Sequence, residues 1–224
     1  MLKNISNLGD AALYCDFGIQ VNKATNLEVI KYFNTIREKK IKGINNLTPS
    51  YNKLIISFDL RVTNFSEVKN KIENLDTTIE QNKNNKKIEV PVCCEENFAL
   101  DKSRLEKKLN LSYQEILTKF FDKEYFCYMT GFVAGMPFLG DLDKSMRANR
   151  LETPRVKVPK GSVGVTEQFA NIYTFESPGG WNIIGNTPLE IFNSSNIDNP
   201  NLISPGDTVT FKQISLKDHK NYNE

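Results

Sequence analysis

The chain has 224 residues, with 29 Lys and Arg against 27 Asp and Glu and a formal net charge of +2. That balance leaves no basic footprint for nucleic acid, and the apolar and charged fractions are those of a globular protein with a sizeable core. The single histidine, His219, falls in the polar run KDHKNYNE, expected to be frayed, which argues against Ser-His-Asp, Cys-His and His-metal chemistry.

The opening MLKNISNLGDAALYCDF contains Asp10 and Asp16 and lacks the apolar core of a signal peptide. No apolar run reaches the roughly 18 residues that span a membrane, so no membrane partner and a cytoplasmic location are expected. Ala11–Phe17 reads as a strand. Asn26 caps a helix over Leu27–Lys40, with Val29, Ile30, Phe33 and Ile36 on one face. Lys42–Thr48 is a weak strand and Lys53–Phe58 a strong one. Ser66 caps a helix over Glu67–Leu75. Asp76–Lys87 is a polar linker, and Ile88–Cys93 another strand. The order β-α-β-β-α-β is that of a ferredoxin-like unit, with its last strand free either to close that sheet or to open a second domain. The expected domains are 1–88 and 89–224, an α+β chain.

Two short helices follow. Ser103-x-x-Glu106 and Ser112-x-x-Glu115 both have capping-box spacing. Their cations do not form a recognition face for DNA. From Tyr125 onward strands dominate: Tyr125–Thr130, Ser162–Val165, Ala170–Phe175, Trp181–Thr187, Leu189–Phe192 and Thr208–Ile214. Close turn signals between them predict an antiparallel β-barrel. The cysteines, Cys15, Cys93, Cys94 and Cys127, form no CxxC pair, so no metal site is expected.

The candidate chemistry sits in glycine- and proline-rich blocks. Gly131–Leu142 (GFVAGMPFLGDL) has glycines and Pro137 around apolar residues, but no Lys-Ser/Thr follows Gly140, so it is not a Walker A loop. It is either a structural turn or one wall of a ligand pocket, with Gly131, Phe132, Gly135 and Pro137 in contact. Arg155 and Lys157 flank Val156 on an extended segment and share a face. They could hold a carboxylate or phosphate, as catalytic cations, or block an edge strand. A partly exposed Arg155 would contribute only about 0–1 kcal/mol to stability. Ser177, Gly179, Gly180 and Trp181 (SPGGW) form a turn that permits close approach to a ligand. Trp181 serves either as core or as a stacking platform. Ser162 adds a hydroxyl at a strand end. These blocks are expected to converge on one cleft.

These runs, with NLGDAAL (7–13), NNLTPSYNKLIISFD (45–59) and IEVPVCC (88–94), resemble the family that holds the 5-oxoprolinase B subunit, the kinase A inhibitor and allophanate hydrolase subunit 1. The resemblance implies a ferredoxin-like N-terminal domain followed by a cyclophilin-like β-barrel. It also implies a hetero-oligomeric, ATP-dependent hydrolase that opens 5-oxoproline to glutamate, this chain pairing with a sister carboxyltransferase-like subunit and acting on a small molecule. ATP would be bound by the complex. Alternatives within the resemblance are a histidine-kinase inhibitor and a subunit of an allophanate hydrolase or urea carboxylase-like enzyme. Arg150 matches a family arginine. The chain departs from the pattern at Phe120 (usually His), Ala134 (Pro), Met136 (Phe), Asp141 (Gly) and Asn149-Arg150-Leu151 (Pro-Arg-Arg). It departs again at Phe169-Ala170-Asn171, where the pattern has Gln-Thr-Gly.

Overall fold

The computed structural model describes residues 2–77 and 85–222. The chain divides into two compact units, Met1–Asn84 and Asn85–Glu224. Most of the expected linker lies outside the described residues.

The first unit runs β1 (Asn4–Asn7), β2 (Ala12–Asp16), α1 (Lys23–Lys39), β3 (Ile44–Pro49), β4 (Lys53–Phe58) and α2 (Phe65–Glu73). Its antiparallel sheet has the order β1-β2-β4-β3. Helix α1 therefore links β2 and β3 across β4, the split βαβ element of a ferredoxin-like sheet. A strand following α2 would complete that sheet beside β2, but β1, which the sequence reading missed, already holds that edge. The strand expected there, β5 (Lys87–Cys93), belongs to the second unit.

The helix caps also differ from expectation. Asn22, not Asn26, caps α1, accepting from the Thr25 N–H. Asn26 is buried and its Nδ2 donates to the carbonyls of Ser50 and Tyr51. Asn64, not Ser66, caps α2. In both helices an Asx side chain in extended backbone satisfies an orphan amide. Leu13, Cys15, Val29, Ile36, Leu54, Ile56, Val68 and Ile72 form the core between sheet and helices.

The second unit comprises β5, α3 (Lys102–Leu109), α4 (Tyr113–Phe121), β6 (Glu124–Thr130), β7 (Pro137–Gly140) and a 3-10 turn at Lys144–Met146. These are followed by β8 (Arg155–Val158), β9 (Ser162–Thr166), β10 (Phe169–Ile172), β11 (Ser177–Gly179), β12 (Asn182–Asn186), β13 (Thr208–Ile214) and α5 (Leu216–Lys220). Seven strands close a barrel in the order β10-β7-β6-β13-β5-β12-β9. It is mixed rather than wholly antiparallel, because β13 runs parallel to β5 from Thr208↔Lys87 to Ile214↔Cys93. Leu189–Phe192 is not a strand; Phe192 makes one bridge to Asn201. Strands β7 and β11, only four and three residues long and containing Pro and Gly, were missed, whereas β8 is the extended segment expected around Val156.

Alternation along the barrel strands is regular. Leu139, Val163, Val165, Ala170, Ile172 and Ile184 point inward to a core shared with Leu105, Ile116 and Phe120 of α3 and α4. Their neighbours Phe138, Gly164, Asn171 and Ile183 point outward. These four are directly opposed across β7, β10, β9 and β12 and make one lateral row. Over that row lies the two-stranded ribbon of β8 and β11, paired at Ser177↔Val158 and Gly179↔Arg155.

Candidate functional site

The covering ribbon brings two of the three candidate blocks together, and the third packs beneath it. Met136, Val158, Tyr173 and Ile183 form a small buried cluster with Val133 and Phe138 against it. Phe138 meets Trp181 edge to face at 5.6 Å. Gly131–Leu142, Arg150–Lys157 and Ser177–Trp181 are thus neighbours on one outer face of the barrel.

Arg155 anchors this face. Its Nη2 donates to Asp101 Oδ1 at 2.7 Å, and the Asp101 side chain is only 4% exposed. The other carboxylate oxygen accepts from the Ile183 N–H at 2.6 Å, and the Asp101 N–H donates back to the Ile183 carbonyl. Asp101 stands at the N-cap of α3 but makes no capping bond there. The Ser103-Glu106 spacing therefore does not cap this helix, whereas the Ser112-Glu115 box does cap α4. Arg155 Nη1 is buried without a hydrogen-bond partner, as are Ser177 Oγ and both amide atoms of Asn171. Buried polar atoms of this kind are uncommon and call for an explanation at each site.

Tyr173, almost wholly buried, lies among them. Burial pushes its hydroxyl pKa up, while Asn171, the Trp181 backbone and the charges of Arg150 and Arg155 pull it part of the way back. Asn171 comes near enough to act on that hydroxyl, yet the approach falls short of hydrogen-bond geometry, so its amide counts as unpaired. Gly179 is required here: a Cβ would sit 2.1 Å from the Tyr173 hydroxyl. Arg150 is exposed, with its guanidinium beside Gly180, and the Leu151 N–H donates to the Gly180 carbonyl at 2.7 Å. Arg104 ties the same segment down through the carbonyls of Asn149 and Arg150 and through Asn182.

Lys157 does not join Arg155. It is 74% exposed and pairs with Glu176 at 3.0 Å. The expected shared face fails because the ribbon shifts register between Ser177 and Gly179, so burial along β8 no longer alternates: Val156 is 80% exposed while Val158 is buried.

The Gly131–Leu142 block is a packed loop. Gly135 has φ 70°, and a Cβ there would lie 2.4 Å from Phe192. Phe132 is 70% exposed at φ 69°, and Pro137 is buried at the start of β7. The Gly131 N–H donates to the Met136 carbonyl and the Met136 N–H to that of Val133. Those two amides are spent within the loop and are not available to a phosphate.

Ser162 sits elsewhere, buried where β9 begins; its carbonyl accepts from the Tyr173 N–H. Beside it a cavity of about 470 Å³ is lined by Lys160, Gly161, Thr187, Pro188, Leu189 and Glu190. A cavity of about 540 Å³ in the first unit, between Phe33, Arg37 and Leu47, shares no residue with the ribbon site. All four cysteines are buried, and the described residues contain no metal-holding cluster of His, Cys, Asp and Glu and no helix long and apolar enough to cross a membrane. His219 is not frayed: α5 carries a Ser215-Asp218 capping box, and the ring bonds Asn186 at 2.9 Å and packs on Phe98.

Residues 3–203 match the carboxyltransferase domain, subdomain C and D. The chain belongs to that family. It is 33% identical over 232 residues to the 5-oxoprolinase B subunit of Bacillus subtilis, covering 98% of this chain and 96% of that protein. It is 39% identical over 124 residues to the protein of that name in Haemophilus influenzae, covering 55% of this chain and 58% of the relative. Among solved structures, TTHA0988 superposes with a TM-score of 0.82 at 25% identity over 91% of this chain, which spans 40% of that longer one. PH0987 from Pyrococcus horikoshii is 32% identical with a TM-score of 0.57, covering 96% of this chain and all of that one. Urea carboxylase of Kluyveromyces lactis shares the fold, with a TM-score of 0.77 at 17% identity, 97% of this chain matching 22% of it.

Sequence reasoning missed Asp101, Tyr173 and Arg104. Asp101 was hidden by the apparent capping box two residues later. Only its side-chain pairing with residues 54 and 82 positions away reveals it.

Proposed function

We propose that this chain is the B subunit of a 5-oxoprolinase, working in the cytoplasm with a sister carboxyltransferase-like subunit to open 5-oxoproline to glutamate at the expense of ATP. The observation that carries this reading is the end-to-end identity with the Bacillus subtilis protein. In the reaction, transfer of the γ-phosphoryl group to the amide oxygen makes that oxygen a leaving group. ADP departs, a first water adds at the carbon, and the C–N bond breaks with a proton passing to the ring nitrogen, leaving an acyl phosphate. A second water then displaces inorganic phosphate and completes the carboxylate of glutamate. Such chemistry asks of the protein mainly positioning and fixed positive charge. Arg155, held by Asp101 with Nη1 left over, supplies such a charge for a carboxylate or phosphoryl oxygen; Arg150 and Lys157 are further cations on the rim of the same ribbon. The Gly131–Leu142 loop spends two of its amides internally and has no Lys-Ser/Thr after Gly140, which favours assigning the ATP phosphates to other surfaces of the complex.

The test is reconstitution. This chain alone should show no ATP-dependent release of glutamate from 5-oxoproline, and adding its partner subunits should restore it. Turnover by the isolated chain, or none by the full complex, would refute the assignment.

A further inference from the structure

The middle of the outward row holds an anomaly. Asn171 is 0% exposed, and neither Oδ1 nor Nδ2 has a hydrogen-bond partner. Its neighbours in the row are Phe138 on one side and Gly164 on the other. The missing side chain of Gly164 makes room for the amide, since a Cβ there would sit 2.6 Å from Asn171 Oδ1. Trp181 closes the space, its Cβ 3.0 Å from the same point. An unpaired buried amide destabilises a fold, so this arrangement is explained if something else completes it.

A primary amide offers C=O and N–H on one edge. Its complement is a second amide whose C=O and N–H also lie on one side. An ordinary trans peptide places them on opposite sides; a ring amide, which is cis by construction, places them together. Two parallel hydrogen bonds then form. Near this amide edge lies a second unsatisfied group, Arg155 Nη1, suited to a carboxylate. Gly179, paired with Arg155 across the ribbon, packs on the Tyr173 hydroxyl, and Asn171 and Arg155 both act on that hydroxyl.

We propose that Asn171 is a specificity-determining residue that pairs with the lactam edge of a small cyclic amide acid whose carboxylate is taken by Arg155. This rests on the 5-oxoprolinase reading and deepens it. Because the site is closed over, the ligand displaces the β8–β11 ribbon, and Trp181, the only tryptophan in the chain, moves with it.

Trp181 therefore reports binding. The full-length chain and the reconstituted complex are titrated with 5-oxoproline while tryptophan fluorescence is followed. N-methyl-5-oxoproline, proline and 2-pyrrolidinone serve as comparators lacking the N–H, the ring carbonyl and the carboxylate respectively. Only 5-oxoproline should saturate the signal at low concentration. Asn171→Gly and Asn171→Asp should each raise the apparent Kd and the KM of the complex about 10–100-fold, the loss expected for one or two buried hydrogen bonds. The loss should fall on KM rather than on kcat. Asn171→Asp, which puts a carboxylate at a fully buried position, should also melt lower than the wild type, so Asn171→Gly, which adds no buried charge, is the variant that isolates recognition. If both variants keep wild-type KM while the wild-type complex turns over 5-oxoproline, or if N-methyl-5-oxoproline binds as tightly as the parent, the Asn171 assignment falls and the subunit reading stands. If the wild-type complex neither binds nor opens 5-oxoproline, both fall.

Discussion

Asp101 and Arg155 lie 54 residues apart in the chain and meet in an ion pair of 2.7 Å, the carboxylate 4% and the guanidinium 28% exposed. The pair joins the start of α3 to the covering ribbon, and Asp101 also holds the backbone of β12 through Ile183. This is where the fold and the candidate chemistry share a residue.

Arg155→Ala should accordingly destabilise the protein, contrary to the expectation of an exposed edge-strand charge. Breaking a fully buried pair costs about 3–5 kcal/mol. Arg155 is partly exposed and Asp101 keeps the Ile183 N–H, so about 1–3 kcal/mol is expected. A thermal melt should fall by about 3–10 °C for a chain of this size. Asp101→Ala should cost at least as much, and the double variant less than the sum, since neither loss strands a charge once both are gone. Additive losses in a double-mutant cycle would show that the pair is not coupled. In the reconstituted complex Arg155→Lys should recover part of the turnover lost in Arg155→Ala, because an ammonium restores charge but not the fork that reaches Asp101 and a ligand together.

Where local pattern decides structure, the sequence reading matches the fold closely: β4 and β13 have the expected bounds, and the Ser112-Glu115 box caps α4. Where a tertiary partner decides, it does not. Asn26 looked like a helix cap and instead pairs with distant carbonyls at Ser50 and Tyr51. Strands β8 and β11 have no interior pattern to read, since each pairs only with the other. Arg155 was visible as a cation on an extended segment. Its carboxylate partner was not, because spacing along the chain carries no information on a contact made by closing a barrel. Asn171 was visible only as a departure from a pattern.

Gly179→Ala should be one of the more damaging single-methyl changes in the barrel unit. Gly179 φ is not positive, so the penalty is steric rather than conformational. The added Cβ would meet the Tyr173 hydroxyl at 2.1 Å, and Tyr173 is 1% exposed with a rigid ring. Overpacking of this kind costs about 1–3 kcal/mol. Gly179→Ala in a Tyr173→Phe background should recover part of it, because the oxygen is removed while the ring carbons at 2.8 and 2.9 Å remain. Equal melting losses in both backgrounds would place the strain elsewhere.

In the first unit, Asp16 accepts from Lys53 Nζ at 2.5 Å and from the Gly18 N–H at 2.7 Å. The hydrogen bond from Lys53, then that from Gly18, holds the carboxyl below its usual range. The folded pKa is depressed, so this contribution is present above the unfolded value of about 3.9 and is lost as pH falls through the folded one. Asp59, held at about 2 by Arg61, acts in the same direction at a partly exposed position. Urea midpoints between pH 6 and 2 should show Asp16→Asn less stable than the wild type at pH 6, the gap closing toward pH 2. A gap that stays constant with pH would mean that the asparagine is disturbing packing, not removing a charge.

His219 provides a second titration, at the other end of the chain. Its ring packs on Phe98 with centroids 4.5 Å apart and meets Asn186 Oδ1 at 2.9 Å. Asn186 Nδ2 is already committed to the Lys160 carbonyl, so Nε2 must be the donor and carries a proton in either charge state. Burial pushes the ring pKa down. A folded pKa below the unfolded value of about 6.5 means that the unfolded chain binds the proton more readily, so stability present above that value is lost as pH falls below it. The hydrogen bond to Asn186 survives protonation; what opposes the charge is the desolvation of the partly buried ring. Hydrogen exchange of the α5 amides, Leu216–Lys220, should therefore accelerate between pH 7.5 and 5 after correction for intrinsic rates. His219→Phe keeps an aromatic ring on Phe98 and has no proton to gain, so its corrected exchange should be flat across the same interval. Identical slopes for the two proteins would assign the pH response of α5 to its acidic anchors, Asp218 and Glu95, which bond the Ser215 and Leu216 backbone, and not to the histidine.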